Sequence, residues 1–324
     1  MTKYDVICVG SATVDTFVFS DVEEHRHNGH VEMCYIAGSK ILIKKIYFKS
    51  GGSGTNTAVG FKRMGLRSAF LGKMGAGNNS NIVMEDLNKE RVPFLGIRDK
   101  NVHTGYSVIL DSEGKDRTIL TFKGANDELR YNEVKLNGMD TKWFYFGSML
   151  GESFETIEKL AEYAGKKGIK IAYNPSIYQA ERGAKYLGKI LRNTDVLVLN
   201  KEEAEALSGD KGDKVFSKLR SFGPRIVCVT DGENGSKVFD GEHLYISHVH
   251  KVKCVEKTGA GDAFASGFVS AIIKGRDIET AINIGNVNAE SVIQHIGAKK
   301  GLLTWGEAES IIKKKPVKIE KVIK

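Results

Sequence analysis

The chain has 324 residues, of which 36 are glycine and 4 are proline. Glycine at about 11% and proline at about 1%, against averages of about 7% and 5%, exclude proline-rich linkers and collagen-like repeats. Hydrophobic residues at 41%, charged residues at 27% and a formal net charge of +8 describe a folded chain with room for one large α/β domain or two domains, not a disordered one.

The basic balance admits a nucleic-acid surface or an anionic ligand. The lysines are scattered along helical stretches such as 158–170, and the densest run is Lys313-Lys314-Lys315 at the C-terminal end. No basic cluster interleaves with aromatics, so no nucleic-acid partner is expected; affinity that collapses with salt would be the sign of one. The cysteines Cys8, Cys34, Cys228 and Cys254 lack zinc-finger or disulfide-framework spacing, which fits a reducing cytoplasm. The N-terminus lacks the apolar stretch of a signal peptide, and no apolar run reaches the roughly 20 residues of a membrane helix.

Strand and helix signals alternate along the chain. A buried strand at 6–9 ends at Gly10, a helix is predicted over 55–64 with Gly65 as its cap, a strand over 68–71 and a helix over 81–90. Further on come a helix over 154–166, strands over 169–173, 195–199 and 225–229, and a helix over 201–207. A hairpin-like stretch covers 235–249, three helices follow near 260–274, 278–295 and 305–313, and the lysine-rich end after Pro316 is expected to fray. Repeated β-α units of this kind make a largely parallel sheet with helices on both faces. Two helix-free segments interrupt the rhythm, at 31–48 and 104–123, the latter with strands at 105–110 and 118–123 around Asp111-Ser-Glu-Gly114. They are read as a small β-sheet lid (21–49 and 103–124) on a main domain made of 1–20, 50–102 and 125–324.

The strongest local signal is Thr258-Gly-Ala-Gly-Asp-Ala-Phe264, which opens a helix. Two glycines let successive N–H groups converge where the helix dipole is positive, a site for phosphoryl oxygens, and Asp262 in the first turn can take a proton from an attacking hydroxyl. A plainer reading makes Thr258 or Asp262 a helix cap. Gly51-Gly-Ser-Gly-Thr-Asn-Thr57 also precedes a helix; its small residues suit a ligand lying on the backbone, with Asn56 as donor and acceptor, or simply a tight turn. It is not a Walker loop, since no Gly-Lys-Ser/Thr occurs in the chain. Asp15 follows the first strand at the ligand-binding edge of the sheet, or is a solvated loop carboxylate. In Asn200-Lys-Glu-Glu203, Glu203 can hold a Mg²⁺-bound water and Asn200 a phosphate, or Asn200 caps a helix with acidic first-turn residues. Thr230-Asp-Gly232 is a nucleotide contact or a β-turn. His25, His27 and His30 lack the framework of a metal site.

In this order the motifs resemble the ribokinase-like (PfkB-type) carbohydrate and nucleoside kinases. The likeness runs from Val9-Gly10 and Asp15 through Gly51-Gly-Ser-Gly-Thr-Asn56, Gly124-Ala-Asn126, Asn174-Pro175, Asn200-x-x-Glu203, Thr230-Asp-Gly232 and Gly259-Ala-Gly-Asp262 to Gly297-Ala298. It implies a three-layer α/β/α domain with a mostly parallel central sheet and a small β lid. It also implies transfer of the ATP γ-phosphate to a hydroxyl of an unphosphorylated sugar or polyol, with Mg²⁺. Asp262 then corresponds to the catalytic base and Gly259, Ala260 and Gly261 to the anion hole. Asp15, Gly51, Gly52 and Asn56 correspond to acceptor contacts, Asn200, Thr230, Gly232 and Asn286 to nucleotide contacts, and Glu203 to the metal organiser. The family often uses a homodimer through the lid. Departures from its pattern are Glu256, where Asp is common, which puts the monovalent-cation site in question, the lack of a ribose-contacting Glu near Gly147-Ser148, and Ser53 where the phosphosugar branch has Lys. A nucleoside kinase of the same fold and a non-catalytic sugar or nucleotide sensor are the alternatives.

Overall fold

The first strand, Lys3–Val9, lies one strand in from the edge of the large sheet. Its alternation sends Ile7 and Val9 into one apolar layer and Val6 and Cys8 into the other, all fully buried. A strand covered on both faces reads as a continuous apolar run for this reason. The computed structural model describes residues 3–20, 22, 24–27, 30–111 and 117–323. The turn residues 112–114 and the side chains of His27 and His30 lie outside the described residues.

Lys3–Val9 pairs in parallel with Ser68–Leu71 on one side and Asp140–Phe146 on the other. Beyond Asp140–Phe146 follow Lys170–Tyr173, Val196–Asn200 and Ile226–Thr230, all parallel. The sheet then turns antiparallel through Ser236–Phe239, His243–Ser247 and Ile319–Ile323, giving nine strands. The last of these corrects the expected fraying: His243–Ser247 supplies a hydrogen-bonding edge for the lysine-rich end. Helices cover both faces, so the three-layer α/β/α architecture with a mostly parallel sheet holds, and a separate small sheet is present.

Most expected helices form within a few residues of their predicted limits. Gly168 caps Gly151–Lys167 in the left-handed conformation, as Gly65 follows Ser53–Arg63. The strand Asp140–Phe146 and the helices Ile177–Ala180, Gly183–Leu191 and Lys214–Ser221 were not anticipated.

The small sheet has four strands: Arg117–Phe122, Gly105–Asp111, Thr13–Ser20 and Ile43–Gly51, in that order. It draws in Thr13–Ser20, a run that the sequence segmentation kept with the main domain. Asp15 therefore lies within a strand of this sheet, beside Lys49 and Ser107, and not in a loop at the edge of the large one. Among the described residues no helix is long and apolar enough to cross a membrane, and no group of three His, Cys, Asp or Glu could hold a metal. All four cysteines are free.

Candidate active site

The first glycine cluster is the joint between the two sheets. Gly51 ends the strand Ile43–Gly51, and Gly52 caps the helix Ser53–Arg63 with φ of +94°. A Cβ on Gly51 would fall 1.9 Å from Asp15 Oδ2, so glycine here makes room for a carboxylate. Asp15 is 7% exposed, and Thr13 Oγ1 donates to its Oδ1 at 2.9 Å. Burial raises its pKa; hydrogen bonds from Thr13 and Ser107 and the charge of Lys299 oppose the rise.

The second cluster opens the helix Ala260–Ile273. Gly259, with φ of +83°, caps it without a side-chain hydrogen bond, and a Cβ there would lie 2.3 Å from Ala298 Cβ. The Ala260 N–H donates to Lys257 O at 3.2 Å, which closes the turn. Gly261 and Asp262 occupy the first helical turn, where backbone amides have no intrahelical acceptor and aim at an anion. Gly261 lies in that first turn, whereas Gly259 and the Ala260 N–H shape the turn that leads into it.

Asn56 joins the two clusters across 206 positions of sequence: its Nδ2 donates to Asp262 Oδ2 at 2.8 Å. Its Oδ1 is buried with no hydrogen-bond partner among the described residues. Burial pushes Asp262 up to about 6, against the pull of the Asn56 hydrogen bond and the Lys299 charge, while Asp15 adds to the rise.

The Asn200 side chain accepts from Glu203 N–H at 2.8 Å, and Glu203 Oε2 accepts from Asn200 N–H at 2.9 Å. This is a capping box, the plainer of the two readings of that motif. It consumes one oxygen of each side chain. Burial nonetheless pushes Glu203 up to about 7, with Glu202 and Asp262 adding to the rise and the Asn200 amide opposing it. A carboxylate so short of counter-charge, facing Asp262, suits a divalent cation. Thr230 sits beside Asn200 at the ends of adjacent parallel strands. Gly232, with φ of +52°, has open space where a Cβ would be. Next to them a cavity of about 220 Å³ is lined by Lys201, Ala204, Val229, Asp231 and Gly235 among others. Asn286 stands apart: it is 3% exposed, and its amide donates to Ser247 Oγ at 2.9 Å and His248 O at 3.3 Å, so its hydrogen bonds brace the hairpin.

Thr13, Ser107 and Lys299 join the site without having been marked by the sequence, beside Asn126 and Glu256, which were. Thr13 and Ser107 carry no motif; Thr13 stands two residues before Asp15 on the same face of its strand, and strand pairing brings Ser107. Asn126 locks the exit of the small sheet by accepting from Ala12 N–H at 2.8 Å and donating to Ala12 O at 3.1 Å. Glu256 Oε1 accepts from Thr258 N–H and Oγ1, and the Arg117 Nε lies 3.4 Å from it. Lys299 is buried beneath the Gly51 loop; its place directly after Gly297-Ala298 was the one available signal.

A family model for the pfkB family of carbohydrate kinases matches residues 4–305. The chain belongs to that family, and it is a kinase. It is similar to an uncharacterized sugar kinase of Archaeoglobus fulgidus, 29% identical over 249 residues, 75% of this chain and 98% of the relative. It is 27% identical over 313 residues to the ribokinase of Bacillus subtilis, covering 94% and 99% of the two chains. The fold matches that of Arabidopsis thaliana ribokinase solved with ribose and ATP, at 20% identity and a TM-score of 0.81, over 96% of this chain and 99% of the other. Within a pfkB-family kinase, the bond between Asn56 and Asp262 unites the two glycine-rich motifs in one place.

Proposed function

We propose that this kinase transfers the γ-phosphate of ATP to a hydroxyl of an unphosphorylated sugar or polyol, with Asp262 as base. The observation that carries the reading is the Asn56 side chain, bonded to Asp262 on one side and left with an unpartnered buried Oδ1 on the other. A buried acceptor oxygen without a donor is costly, and a sugar hydroxyl neighbouring the one phosphorylated is a group that satisfies it. Asp15, given its room by Gly51, offers a second hydroxyl contact. In the transfer Asp262 takes the hydroxyl proton, the acceptor oxygen bonds to the γ-phosphorus, and the bond to the β–γ bridging oxygen breaks to release ADP. The Gly261 amide and the helix dipole stabilise charge on the phosphoryl oxygens. Glu203 would hold Mg²⁺, which supplies neutralisation of phosphate charge, and the Asn200 amide would meet a phosphate. Thr230 and Gly232 would border the nucleotide, with Asn286 bracing the hairpin behind.

One cation bordering the small sheet is already engaged: Arg117 Nε lies 3.4 Å from Glu256 Oε1. ADP release from ATP across free sugars, inositols, nucleosides and sugar phosphates tests the reading. Turnover of a free sugar or inositol supports it, and turnover confined to nucleosides or to sugar phosphates sinks it.

Glu256 bears on the monovalent cation. Its Oε2 is buried without a hydrogen-bond partner among the described residues, and the Arg117 guanidinium supplies positive charge beside Oε1. We expect turnover to be insensitive to K⁺, and Arg117→Met to create a K⁺ response. A strict K⁺ requirement in the unmodified protein overturns this.

The outer face of the small sheet suits a second copy of the chain. Ile46, Phe48, Leu120 and Phe122 fall on one face by strand register and are each about half exposed: 46%, 53%, 56% and 54%. An apolar face of that kind is a protein contact rather than a solvated surface. Sedimentation velocity is expected to give a homodimer, and Phe48→Asp with Leu120→Asp a monomer. A monomeric unmodified protein rejects the lid dimer.

A further inference from the structure

Lys299 is a lysine almost wholly removed from water, 7% exposed, yet it belongs to none of the motifs above. Its ammonium donates to Ser50 Oγ at 2.7 Å, to Ser50 O at 3.3 Å and to Asp86 Oδ2 at 2.9 Å. Each partner comes from a different element. Ser50 immediately precedes Gly51-Gly52, which border Asp15. Asp86 lies on the helix Asn78–Lys89. Lys299 itself follows Ala298, against which the Gly259 turn is packed. One side chain therefore ties the acceptor loop to the turn that presents Asp262.

Packing alone does not explain a lysine here. Burying an ammonium is expensive, and an apolar side chain of the same length would serve a packing role at least as well. Asp86 answers the charge only in part, because its own side chain is 30% exposed and shares its field with water. The lysine's field also reaches Asp15 and Asp262, two buried carboxylates whose charges oppose each other.

We propose that Lys299 is a positioning residue of the phosphotransfer site, clamping the Gly51-Gly52 loop to the Gly259 turn and supplying a fixed positive charge that keeps Asp15 and Asp262 ionised together. This rests on the assignment of Asp262 as base and Asp15 as acceptor contact. Around Asp262 the other groups are Asn56, Asp15, Glu203, Cys8 and Tyr145, of which none is cationic. Around Asp15 they are Thr13, Ser107, the exposed cross-strand neighbour Lys49, and Glu256, the last answered by Arg117. Among the described residues, Lys299 is thus the cation whose field reaches both carboxylates.

The test is made on the ligand-free full chain, so that it does not depend on any activity. Aspartate carboxyls labelled with carbon-13 are titrated by NMR, with Asp15→Asn and Asp262→Asn assigning the two resonances. In Lys299→Met both midpoints are expected to rise by about one pH unit or more, the usual effect of losing an opposite charge nearby. In Asp86→Asn, which breaks the same ion pair but leaves the lysine, both are expected to fall. A mere clamp would move the two variants in the same direction. Midpoints unchanged in a folded Lys299→Met protein overturn the inference. Should that variant fail to fold, Asp86→Asn decides: lowered midpoints carry the inference, and raised or unchanged ones overturn it. Activity retained by Asp262→Asn would instead remove the base assignment and leave these titrations as they are.

Discussion

Asp262→Asn is expected to lower kcat by about 10²- to 10⁴-fold, the usual worth of a positioned general base, while acceptor and ATP affinities stay within a few-fold. The substitution is nearly isosteric. Asn56 Nδ2, which donates to Asp262 Oδ2 at 2.8 Å, can donate to the new amide oxygen, so the orphaned Asn56 Oδ1 keeps its place for the neighbouring sugar hydroxyl. In the unmodified enzyme kcat/KM should fall with one proton below about pH 6, because burial pushes Asp262 up to about 6. The same shift has a stability consequence of determinate sign. The folded value lies above the ordinary 3.8, so the native state holds the proton more tightly than the unfolded chain. Stability linked to this group is present at low pH and is lost as pH rises through about 6. Asp262→Asn removes that loss, so its Tm at pH 8 should equal or exceed that of the unmodified protein, and the difference should vanish below pH 3.8. An inactive variant with a lower Tm at pH 8 would point to a damaged fold and not to a missing base. A fully active variant would end the base assignment.

What could be read in the sequence was what is local. An apolar run such as Val6-Ile-Cys-Val9 or Leu197-Val-Leu199, a glycine cap such as Gly168, and a helix stripe each carry their signal within a few residues. Sheet membership does not. The alternation in Thr13–Ser20 declares a strand, but nothing within it says that its partners are Ile43–Gly51 and Gly105–Asp111. Asp15 was therefore seen as a candidate while its surroundings, Thr13, Ser107 and Lys299, were not. The charged strand Ile319–Ile323 was missed for a related reason: its order comes from the edge of His243–Ser247 and not from its own apolar content. Asn200 and Glu203 illustrate the converse. The motif was legible, and the structure gives it a capping box, yet a cap leaves free the second oxygen of a carboxylate that burial raises to about 7. One residue pair can end a helix and meet a ligand.

The glycine excess offers the second large effect, because two glycines of one motif should fail in different ways. Gly259→Ala places a Cβ 2.3 Å from Ala298 Cβ and 2.6 Å from Ala298 Cα, at a φ of +83° that disfavours any L side chain. The left-handed backbone costs about 1–2 kcal/mol and the overlap about 1–3 kcal/mol more. Tm should fall by several degrees, and activity should fall with it as the Gly261 amide and Asp262 are displaced. Gly261→Ala meets no protein atom within 4 Å and sits in the first turn of a helix, where alanine is the better former. Its Tm should hold or rise. If the phosphoryl group lies against this backbone, its kcat/KM should nonetheless fall by about 10²-fold, comparable to losing an oxyanion-hole donor. Differential scanning calorimetry alongside steady-state kinetics separates the two. A Gly261→Ala enzyme with full activity would mean that no ligand approaches the helix start, and Gly259 and Gly261 would then be ordinary turn residues like Gly65. A stable but inactive Gly261→Ala enzyme leaves only the ligand to feel the added methyl, since the protein around it has room to spare.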